Sequence, residues 1–338
     1  MQESILECII DRTIIFRADG NSKIGFGHVY RMLALMEMFD SVTRSIVFIS
    51  QSLPESITRH LKDRKIHHEI VSDYDLEIPD KQNGFEIALD MKLSGNEIVV
   101  LDGYHFGIEY QKSIKQLGNK LVYIDDLGGD RFIADAVINH APGAVYRDNS
   151  ITKFYTGLDY AMLRMPFLSP FKDGEKVGRV AYVCMGGSDY FEHSLMLLDL
   201  INLNGGFDSI NLVYSSNYPQ GLIEKLRTYR SASPLNLYSD LNAMELVALL
   251  EESTHAFVSA STVLLECYAR GLYSYAGYYT RNQNLIYNGF IERNLACGLG
   301  DFSTLDLKRF KTALSGMPHK LSEPLNSANN IIKIFSHL

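Results

Sequence analysis

The 338-residue chain has no apolar run long enough to cross a bilayer, so we expect no transmembrane segment. It also lacks a basic start, because its first residues, MQESILECIIDRTII, carry acidic side chains where a secretory signal peptide needs positive charge. Cysteine is scarce, and its four residues are far apart without Cys-x-x-Cys spacing, which indicates neither a zinc site nor a disulfide framework. These absences predict a protein of the reducing cytoplasm.

Positive charge is also in short supply. Lysine and arginine total 32 against 40 aspartates and glutamates, which gives a net charge of −8. Binding to nucleic acid needs a basic surface that neutralises phosphates, so we do not expect nucleic acid to be the main partner. An anionic small molecule would have to be held by local dipoles instead.

One stretch, residues 13–39, combines a strand, a polar loop with glycines and a helix. The strand covers 13–16, and the helix opens at His28 with apolar residues at i, i+3, i+4 and i+7, which gives it one face to pack on a sheet. The apolar positions are Val29, Met32, Leu33 and Met36. The loop residues of interest are Arg17, Asp19, Gly25 and Gly27.

The loop of this stretch suits a diphosphate, because the free N–H groups and the dipole of a helix N-terminus favour negative charge. Gly25 and Gly27 allow the backbone to approach a ligand closely. The same dipole disfavours an imidazolium at His28, and a neutral base beside an anion site suggests hydrolysis or transfer at a phosphate-bearing carbon. The loop is not the dinucleotide-binding fingerprint, because the third glycine of that motif is missing. The alternative for His28 is a helix cap or a surface residue.

The length indicates two domains, each with its own core. Short apolar strands alternate with amphipathic helices in both halves, which predicts two doubly wound, Rossmann-like α/β domains facing across a cleft. The expected boundaries are 1–160 for the N-terminal domain, 161–176 for a linker and 177–338 for the C-terminal nucleotide-binding domain. The last helix is free to pack back on the first domain.

The predicted elements follow the same alternation. After the opening unit, strands are expected at 45–50, 67–71, 97–103 and 121–126, with helices near 54–65, 84–92 and 106–117. The stretch AVINHAPGAVYRD from residue 136 is expected to be a strand followed by a loop, while 154–167 has a mixed character. In the second half, strands are expected at 179–185, 209–215, 235–240, 255–260 and 272–277, with helices up to 203 and near 219–230, 242–252, 261–270 and 282–294, then two terminal helices.

In parallel sheets of this kind, ligands bind at the carboxyl ends of the strands. Six polar residues of the N-terminal domain fall there, namely Arg17, Asp19, Asp102, Tyr104, Asp125 and Asp126. Asp102, Asp125 and Asp126 could bind magnesium through their oxygens. We favour the alternative, in which strand-end aspartates accept hydrogen bonds from loop N–H groups. Tyr104 is either a substrate contact or the polar edge of a loop.

The C-terminal domain has its own glycine turn at 186–188, at the end of a predicted strand. Ser261 and Thr262 begin a later helix and offer hydroxyls and N–H groups, which predicts another anion site. Glu266 lies one turn further, where a carboxylate can accept both hydroxyls of a ribose. Periodicity alone favours a solvated surface position for Glu266.

Several motifs, taken in order, resemble the signatures of one enzyme family. They are RADGNSKIGFGHVYR, LDGYHF, IDDLGGDRFIADAVINHAPGA, GLDYAMLRMPF, VCMGGSD, SASTVLLECYARG and RNQN. The family is the UDP-sugar hydrolases of the pseudaminic acid pathway, which cleave UDP-2,4-diacetamido-2,4,6-trideoxy-β-L-altropyranose. The resemblance runs from about residue 13 to about residue 300, and the G-F-G-H-x-x-R and M-G-G-S-D motifs are its most specific parts. It implies the two-domain B-type fold of glycosyltransferases, including the peptidoglycan enzyme that transfers N-acetylglucosamine.

Carried over residue by residue, the resemblance implies that His28 is the general base that activates water. The water would attack the anomeric carbon and expel UDP with inversion, without a metal or another cofactor. The implied binding residues are Gly186, Gly187 and Ser188 for the diphosphate, Glu266 for the ribose, and Tyr104, Asn282 and Gln283 for the sugar.

One departure from the family concerns Glu192. The family has an asparagine here that contacts the nucleotide, and a carboxylate would repel a diphosphate unless its side chain points away. Two other functions remain open. A glycosyltransferase would use His28 to deprotonate a sugar or lipid hydroxyl, and a non-catalytic homologue would only bind the nucleotide sugar. A UDP-sugar is the expected small-molecule partner, and no protein partner is predicted.

Overall fold

The central strand of the first sheet shows why this chain forms a parallel sheet. Strand β1 (Ile14–Ala18) reads IIFRA, and all five of its residues are buried. Parallel strands hydrogen-bond it on both sides, pairing Phe16 with Phe48 and with Val100. Burial on both faces requires a nearly continuous apolar run, which is what these strands carry.

The computed structural model describes residues 12–20, 26–43, 45–51, 53–71, 93–129, 131–147, 150–171, 178–187, 189 and 191–338. The chain divides into two compact units. Unit 1 comprises Met1–His140, Ala144–Arg164 and Asn326–Leu338, and unit 2 comprises Ala141–Gly143 and Met165–Leu325. The C-terminal segment therefore belongs to the unit that contains β1.

Each unit is built on one parallel sheet. Unit 1 contains β1, β2 (Ile46–Ser50), β3 (His67–Ile70), β4 (Ile98–Asp102), β5 (Lys120–Ile124), β6 (Ala136–Asn139) and β7 (Lys153–Thr156). Unit 2 contains β8 (Val180–Cys184), β9 (Ser209–Tyr214), β10 (Leu235–Ser239), β11 (His255–Ser259), β12 (Tyr273–Tyr278) and β13 (Cys297–Asp301). The strand orders are β3-β2-β1-β4-β5-β6-β7 and β10-β9-β8-β11-β12-β13. In both sheets the order of the strands reverses beside the first strand, β1 or β8, as in Rossmann-like sheets.

The helices connect these strands. They are α1 (Gly27–Phe39), α2 (Glu55–Asp63), α3 (Ile108–Gln116), α4 (Met165–Leu168), α5 (His193–Asn204), α6 (Gln220–Thr228), α7 (Ala243–Glu252), α8 (Thr262–Ala269), α9 (Asn284–Glu292), α10 (Leu307–Ser315) and α11 (Ser327–Ser336). Short 3₁₀ helices cover Leu158–Tyr160, Arg281–Gln283 and Phe302–Thr304. No helix in the described part of the chain is long and apolar enough to cross a membrane.

Helix α1 is held firmly in unit 1. Its predicted apolar face is buried, since Val29, Met32 and Met36 have no exposed surface. Phe39 at its end contacts Phe335 of α11, with the ring centroids 4.6 Å apart. The C-terminal helix therefore supports the helix that carries His28.

The fold class predicted from the sequence is confirmed as two Rossmann-like α/β units. Two edge strands were missed: β7 lies in the stretch interpreted as mixed, and β13 follows the last predicted strand. Strand β13 reads CGLGD, and two glycines in five residues give a weak strand signal. The helix predicted near 84–92 lies outside the described residues, as does most of the connector at 169–178.

Candidate active site

The amino end of α1 places His28 at the carboxyl edge of the first sheet. Gly27 is the first residue of the helix, and a Cβ added there would meet no atom within 4 Å. His28 follows as the second helical residue and is 7% exposed. The open space beside Gly27 would let a ligand approach the first amides of α1. Gly25 lies outside the described residues.

His28 forms a dyad with Asp102, the last residue of β4. Its Nδ1 lies 2.7 Å from Asp102 Oδ1, and the aspartate is completely buried. Because a carboxylate only accepts hydrogen bonds, this contact places the proton of a neutral imidazole on Nδ1. The Nε2 atom then carries the lone pair. The arrangement suits a general base.

Arg31, one turn along α1, fixes the other side of the dyad. Its Nε donates to Asp102 Oδ2 at 2.7 Å, and its Nη2 donates to Asp102 Oδ1 at 2.6 Å. Burial alone would raise the pKa of Asp102, but the charges of Arg31 and then His28 lower it to about 2. Asp102 therefore remains a carboxylate near neutral pH. The bidentate contact with Arg31 restricts the orientation of this carboxylate.

A second carboxylate and a second histidine complete the polar cluster. Arg31 Nη1 donates to Asp126 Oδ2 at 2.9 Å. His140, just after β6, is 1% exposed. Burial first, and then the charge of Arg31, lower its pKa to about 3, so that it stays neutral. Sequence reasoning did not single out Arg31 as the link or His140 as a neighbour, because these residues are far apart in the chain.

Tyr104 lies against His28. The two rings meet edge to face with centroids 4.7 Å apart, and Tyr104 is 48% exposed. Tyr104 therefore combines a contact with the dyad and a surface open to solvent. Its role as a substrate contact stays a prediction.

Arg17 and Asp19 form a separate buried cluster. Arg17 Nη1 lies 2.6 Å from Asp19 Oδ1, and His105 Nε2 lies 2.8 Å from Asp19 Oδ2. Burial would raise the pKa of Asp19, but Arg17 and His105 hold it well below its usual range. Both side chains are 2% exposed and have partners within unit 1, and their predicted role in binding substrate stays a prediction.

Asp125 behaves as the loop-capping interpretation predicts. Its carboxylate accepts from the N–H groups of Leu127, Gly128 and Gly129, and from the hydroxyl of Tyr146. Asp102 differs, because its partners are the side chains of α1. Within the described residues, no group of three or more His, Cys, Asp or Glu side chains is arranged to hold a metal ion.

In unit 2, the glycine turn after β8 is held by hydroxyls. Gly186 has φ = 86°, a conformation that favours glycine, and its carbonyl accepts from Tyr218 Oη at 3.1 Å. The carbonyl of Met185 accepts from Tyr279 Oη and Ser259 Oγ, each at 3.3 Å. A Cβ added at Gly187 would meet nothing within 4 Å. Ser188 lies outside the described residues.

Two helices begin near this turn, and their amino ends differ. At α5, the carboxylate of Asp189 accepts from the N–H groups of His193 and Ser194, both at 2.8 Å. At α8, Ser261 precedes the helix and makes no side-chain cap hydrogen bond. Since the first N–H groups of a helix have no intrahelical partner, α8 is the better of the two for an external anion. Ser261 Oγ lies 4.0 Å from a Cβ added at Gly186.

Glu266 is 8% exposed, contrary to the solvated position that periodicity favoured. It lies close enough to the end of β8 to act on Cys184: burial raises the pKa of that thiol to about 11, and the charge of Glu266 adds to the rise. Gln283 is buried and accepts from the N–H of Tyr279 at 2.9 Å, while Asn282 is exposed. The glycine turn, Ser261, Glu266 and Gln283 are thus linked through neighbouring contacts in unit 2.

Glu192 stands at the start of α5 with a left-handed backbone, φ = 57° and ψ = 31°. Lys225 Nζ lies 2.6 Å and 2.8 Å from its two carboxylate oxygens. The carboxylate is therefore already paired with a cation. This pairing answers part of the concern that its charge would repel a diphosphate. That the polar groups of both units line one cleft stays a prediction.

Comparison with known proteins gives a consistent but distant set of similarities. No protein-family model matches the chain. The chain is 24% identical over 259 residues to the UDP-2,4-diacetamido-2,4,6-trideoxy-β-L-altropyranose hydrolase of Campylobacter jejuni, covering 75% of this chain and 86% of that protein. It is 22% identical over 291 residues to an uncharacterised protein of Methanocaldococcus jannaschii, covering 81% of this chain and 57% of that protein.

The solved structures define the fold. The crystal structure of MurG from Acinetobacter baumannii superimposes with a TM-score of 0.65 at 13% sequence identity, covering 96% of this chain and all of that one. At this identity the likeness concerns the fold alone. The chain therefore has the B-type glycosyltransferase fold and is similar in sequence to a UDP-sugar hydrolase.

Proposed function

We propose that this chain hydrolyses a UDP-sugar and releases UDP, with His28 as the general base. The observation that carries the proposal is the 2.7 Å contact between His28 Nδ1 and Asp102, which leaves Nε2 as the proton acceptor. A histidine oriented by a buried carboxylate is a common solution for taking a proton from a hydroxyl or from water.

In the proposed step, Nε2 takes a proton from water while the water oxygen bonds to the anomeric carbon. The bond from that carbon to the diphosphate oxygen breaks, and its electron pair leaves with UDP. Attack opposite the leaving group inverts the anomeric configuration. Asp102 stabilises the imidazolium that forms, and the proton then returns to solvent. No metal ion takes part in this proposal.

Unit 2 is assigned to the nucleotide. The amide of Gly187 and the open amino end of α8 at Ser261 and Thr262 would bind the diphosphate, with support from the Gly186 conformation and the uncapped helix end. The amino end of α5 contributes less, because Asp189 already occupies its amides. The N–H groups at α8 would also stabilise the charge that develops on the leaving diphosphate.

The remaining binding residues follow from the family resemblance and from their positions. Glu266 is assigned to the ribose hydroxyls, and Asn282 and Gln283 to the sugar side. Tyr104 is assigned to the sugar, supported by its contact with His28 and its open face. The similarity to the Campylobacter hydrolase supports a diacetamido-trideoxy-hexose as the sugar.

The test is release of UDP from a panel of UDP-sugars by the full chain, without an acceptor and with or without EDTA. The panel includes UDP-2,4-diacetamido-2,4,6-trideoxy-β-L-altropyranose and UDP-N-acetylglucosamine. We expect acceptor-free turnover that EDTA does not change, fastest with the first of these. Turnover that requires an added sugar or lipid hydroxyl would identify a glycosyltransferase instead. Binding without turnover would identify a nucleotide-sugar-binding protein.

A further inference from the structure

Asp126 is a partly buried carboxylate one contact removed from the catalytic dyad. It follows β5, and its side chain is 12% exposed. Its Oδ2 accepts from Arg31 Nη1 at 2.9 Å, while its Oδ1 is buried and has no hydrogen-bond partner among the described residues. Neither the family resemblance nor the sequence pattern gives this residue a role in the reaction. Leaving a buried carboxylate oxygen without a partner is costly, which calls for a physical reason.

The charges of the cluster supply that reason. Arg31 contacts both Asp102 and Asp126, so two carboxylates share one guanidinium. With His28 neutral, the cluster carries one net negative charge. When His28 takes a proton, that charge is cancelled. A buried cluster that becomes neutral on protonation favours the proton transfer, since an uncompensated charge is costly at low dielectric.

Without Asp126, the balance would reverse. Arg31 and Asp102 would then neutralise each other, and an imidazolium at His28 would be an uncompensated positive charge. Arg31 Nη2 lies only 3.1 Å from His28 Nδ1, so its cation directly opposes protonation of the ring. Asp102 alone cannot offset both cations.

The other polar groups near His28 do not replace Asp126. Tyr104 packs on the ring from the loop after β4. Tyr123 of β5 donates to the carbonyl of Gly103, and burial followed by the nearby aspartates raises its pKa, which keeps it neutral. His140 is also neutral, and the carboxylate of Asp125 is occupied by loop amides. Among the described residues packed here, Asp126 therefore supplies the negative charge that offsets the cation of Arg31.

We propose that Asp126 is a positioning residue that acts through Arg31, and that its negative charge balances the imidazolium formed at His28 in the reaction. This inference rests on the proposed function of His28 as a base. It predicts that Asp126 sets the basicity of His28 without touching substrate.

The test uses Asp126→Asn, which keeps the shape of the side chain and removes its charge. The titration of the His28 ring is followed by NMR, with His28→Asn identifying its signal. We expect the midpoint to move to lower pH by about one pH unit. The acid limb of the kcat profile should move in the same direction, and kcat on the plateau should fall by roughly 3- to 10-fold, because a weaker base transfers the proton more slowly.

Two variants separate charge from packing. Glu109→Gln removes one exposed negative charge from the same unit, and we expect it to leave the His28 titration unchanged. Asp126→Glu restores the charge, so its titration midpoint should return toward that of the wild type even if packing suffers. If Asp126→Asn titrates like Glu109→Gln, or if Asp126→Glu shifts as far as Asp126→Asn, the inference is wrong.

The NMR arm does not depend on the substrate. If the wild type fails to hydrolyse UDP-sugars but Asp126→Asn still shifts the His28 titration, the proposed function fails while the charge balance stands. If the wild type hydrolyses UDP-sugars and the shift is absent, only the inference about Asp126 fails.

Discussion

The two units place their polar groups in different ways. In unit 1, the buried side chains of His28, Arg31 and Asp102 and the partly buried Asp126 are charged or titratable groups joined over 71 to 95 residues of sequence. In unit 2, the glycine turn and the start of α8 offer backbone N–H groups and hydroxyls that are local in sequence. Side-chain charge suits a proton transfer, and backbone amides suit an anion that must be held. The difference predicts that substitutions in unit 1 change kcat and those in unit 2 change KM.

The largest expected effect is at His28. His28→Asn should lower kcat by roughly 10²–10⁴ with little change in KM, because the general base is lost while the nucleotide contacts remain. Release of UDP from the preferred UDP-sugar measures it. His60→Asn, an exposed histidine on α2 of the same unit, is the matched control and should retain full activity. Equal activity of the two variants would remove His28 from the mechanism.

Asp102 predicts a pH dependence of stability. Its pKa is lowered from the ordinary 3.8 to about 2 in the folded chain, so the stabilisation is complete above the unfolded value and is lost as pH falls through the folded value. The total is about 2 kcal/mol, of which about half is lost by pH 3. Urea unfolding followed by circular dichroism between pH 5 and pH 3 measures it.

Asp102→Asn provides the comparison for that measurement. The amide does not titrate, so the variant should be less stable at pH 5 but lose less of its free energy of unfolding between pH 5 and pH 3. Parallel pH dependences for wild type and variant would show that the pairing of Asp102 with Arg31 contributes no acid sensitivity.

In unit 2, Glu266→Ala should raise KM for the UDP-sugar by roughly 100-fold, because the carboxylate is assigned to two ribose hydroxyls and each hydrogen bond to a charged group contributes about 1.5 kcal/mol or more. The kcat should change far less. Glu252→Ala, on the exposed end of α7, is the control and should change neither constant. A fall in kcat at unchanged KM would place Glu266 with the chemistry and undo the division between the units.

The smallest effect is expected at Glu192. Glu192→Asn loses an exposed ion pair with Lys225 but places asparagine in the left-handed conformation that it tolerates well. The free energy of unfolding should change by less than about 1 kcal/mol. Because Lys225 already balances the carboxylate, KM should change by less than about threefold. A tenfold lower KM would mean that Glu192 repels the nucleotide.

The sequence predicted the elements with strong local signals. Strand β1, helix α1 and the alternation in both units follow from apolar periodicity, and the predicted elements that fall within the described residues are present within one or two residues of the expected bounds, apart from the missed edge strands. Strand β13 was missed because its two glycines weaken the strand pattern, and only pairing with β12 makes it a strand. Edge strands depend on their neighbour more than on their own sequence.

The site divides in the same way. His28 and the glycine turn could be found from local motifs. The roles of Arg31, Asp102 and Asp126 could not, because they depend on the register that brings β4 and β5 beside α1. From the sequence, an aspartate that caps a loop, as Asp125 does, cannot be distinguished from one that orients a histidine, as Asp102 does.

Hydrolysis in water enriched in ¹⁸O tests most directly which atom is attacked when His28 activates water. The proposed mechanism predicts that wild-type enzyme releases UDP without ¹⁸O, because water attacks the sugar carbon and the diphosphate keeps its own oxygen. Mass spectrometry measures the ¹⁸O content of the released UDP over the time course of the reaction. Labelled UDP would mean attack at phosphorus, and it would contradict the assignment of His28 to the anomeric carbon.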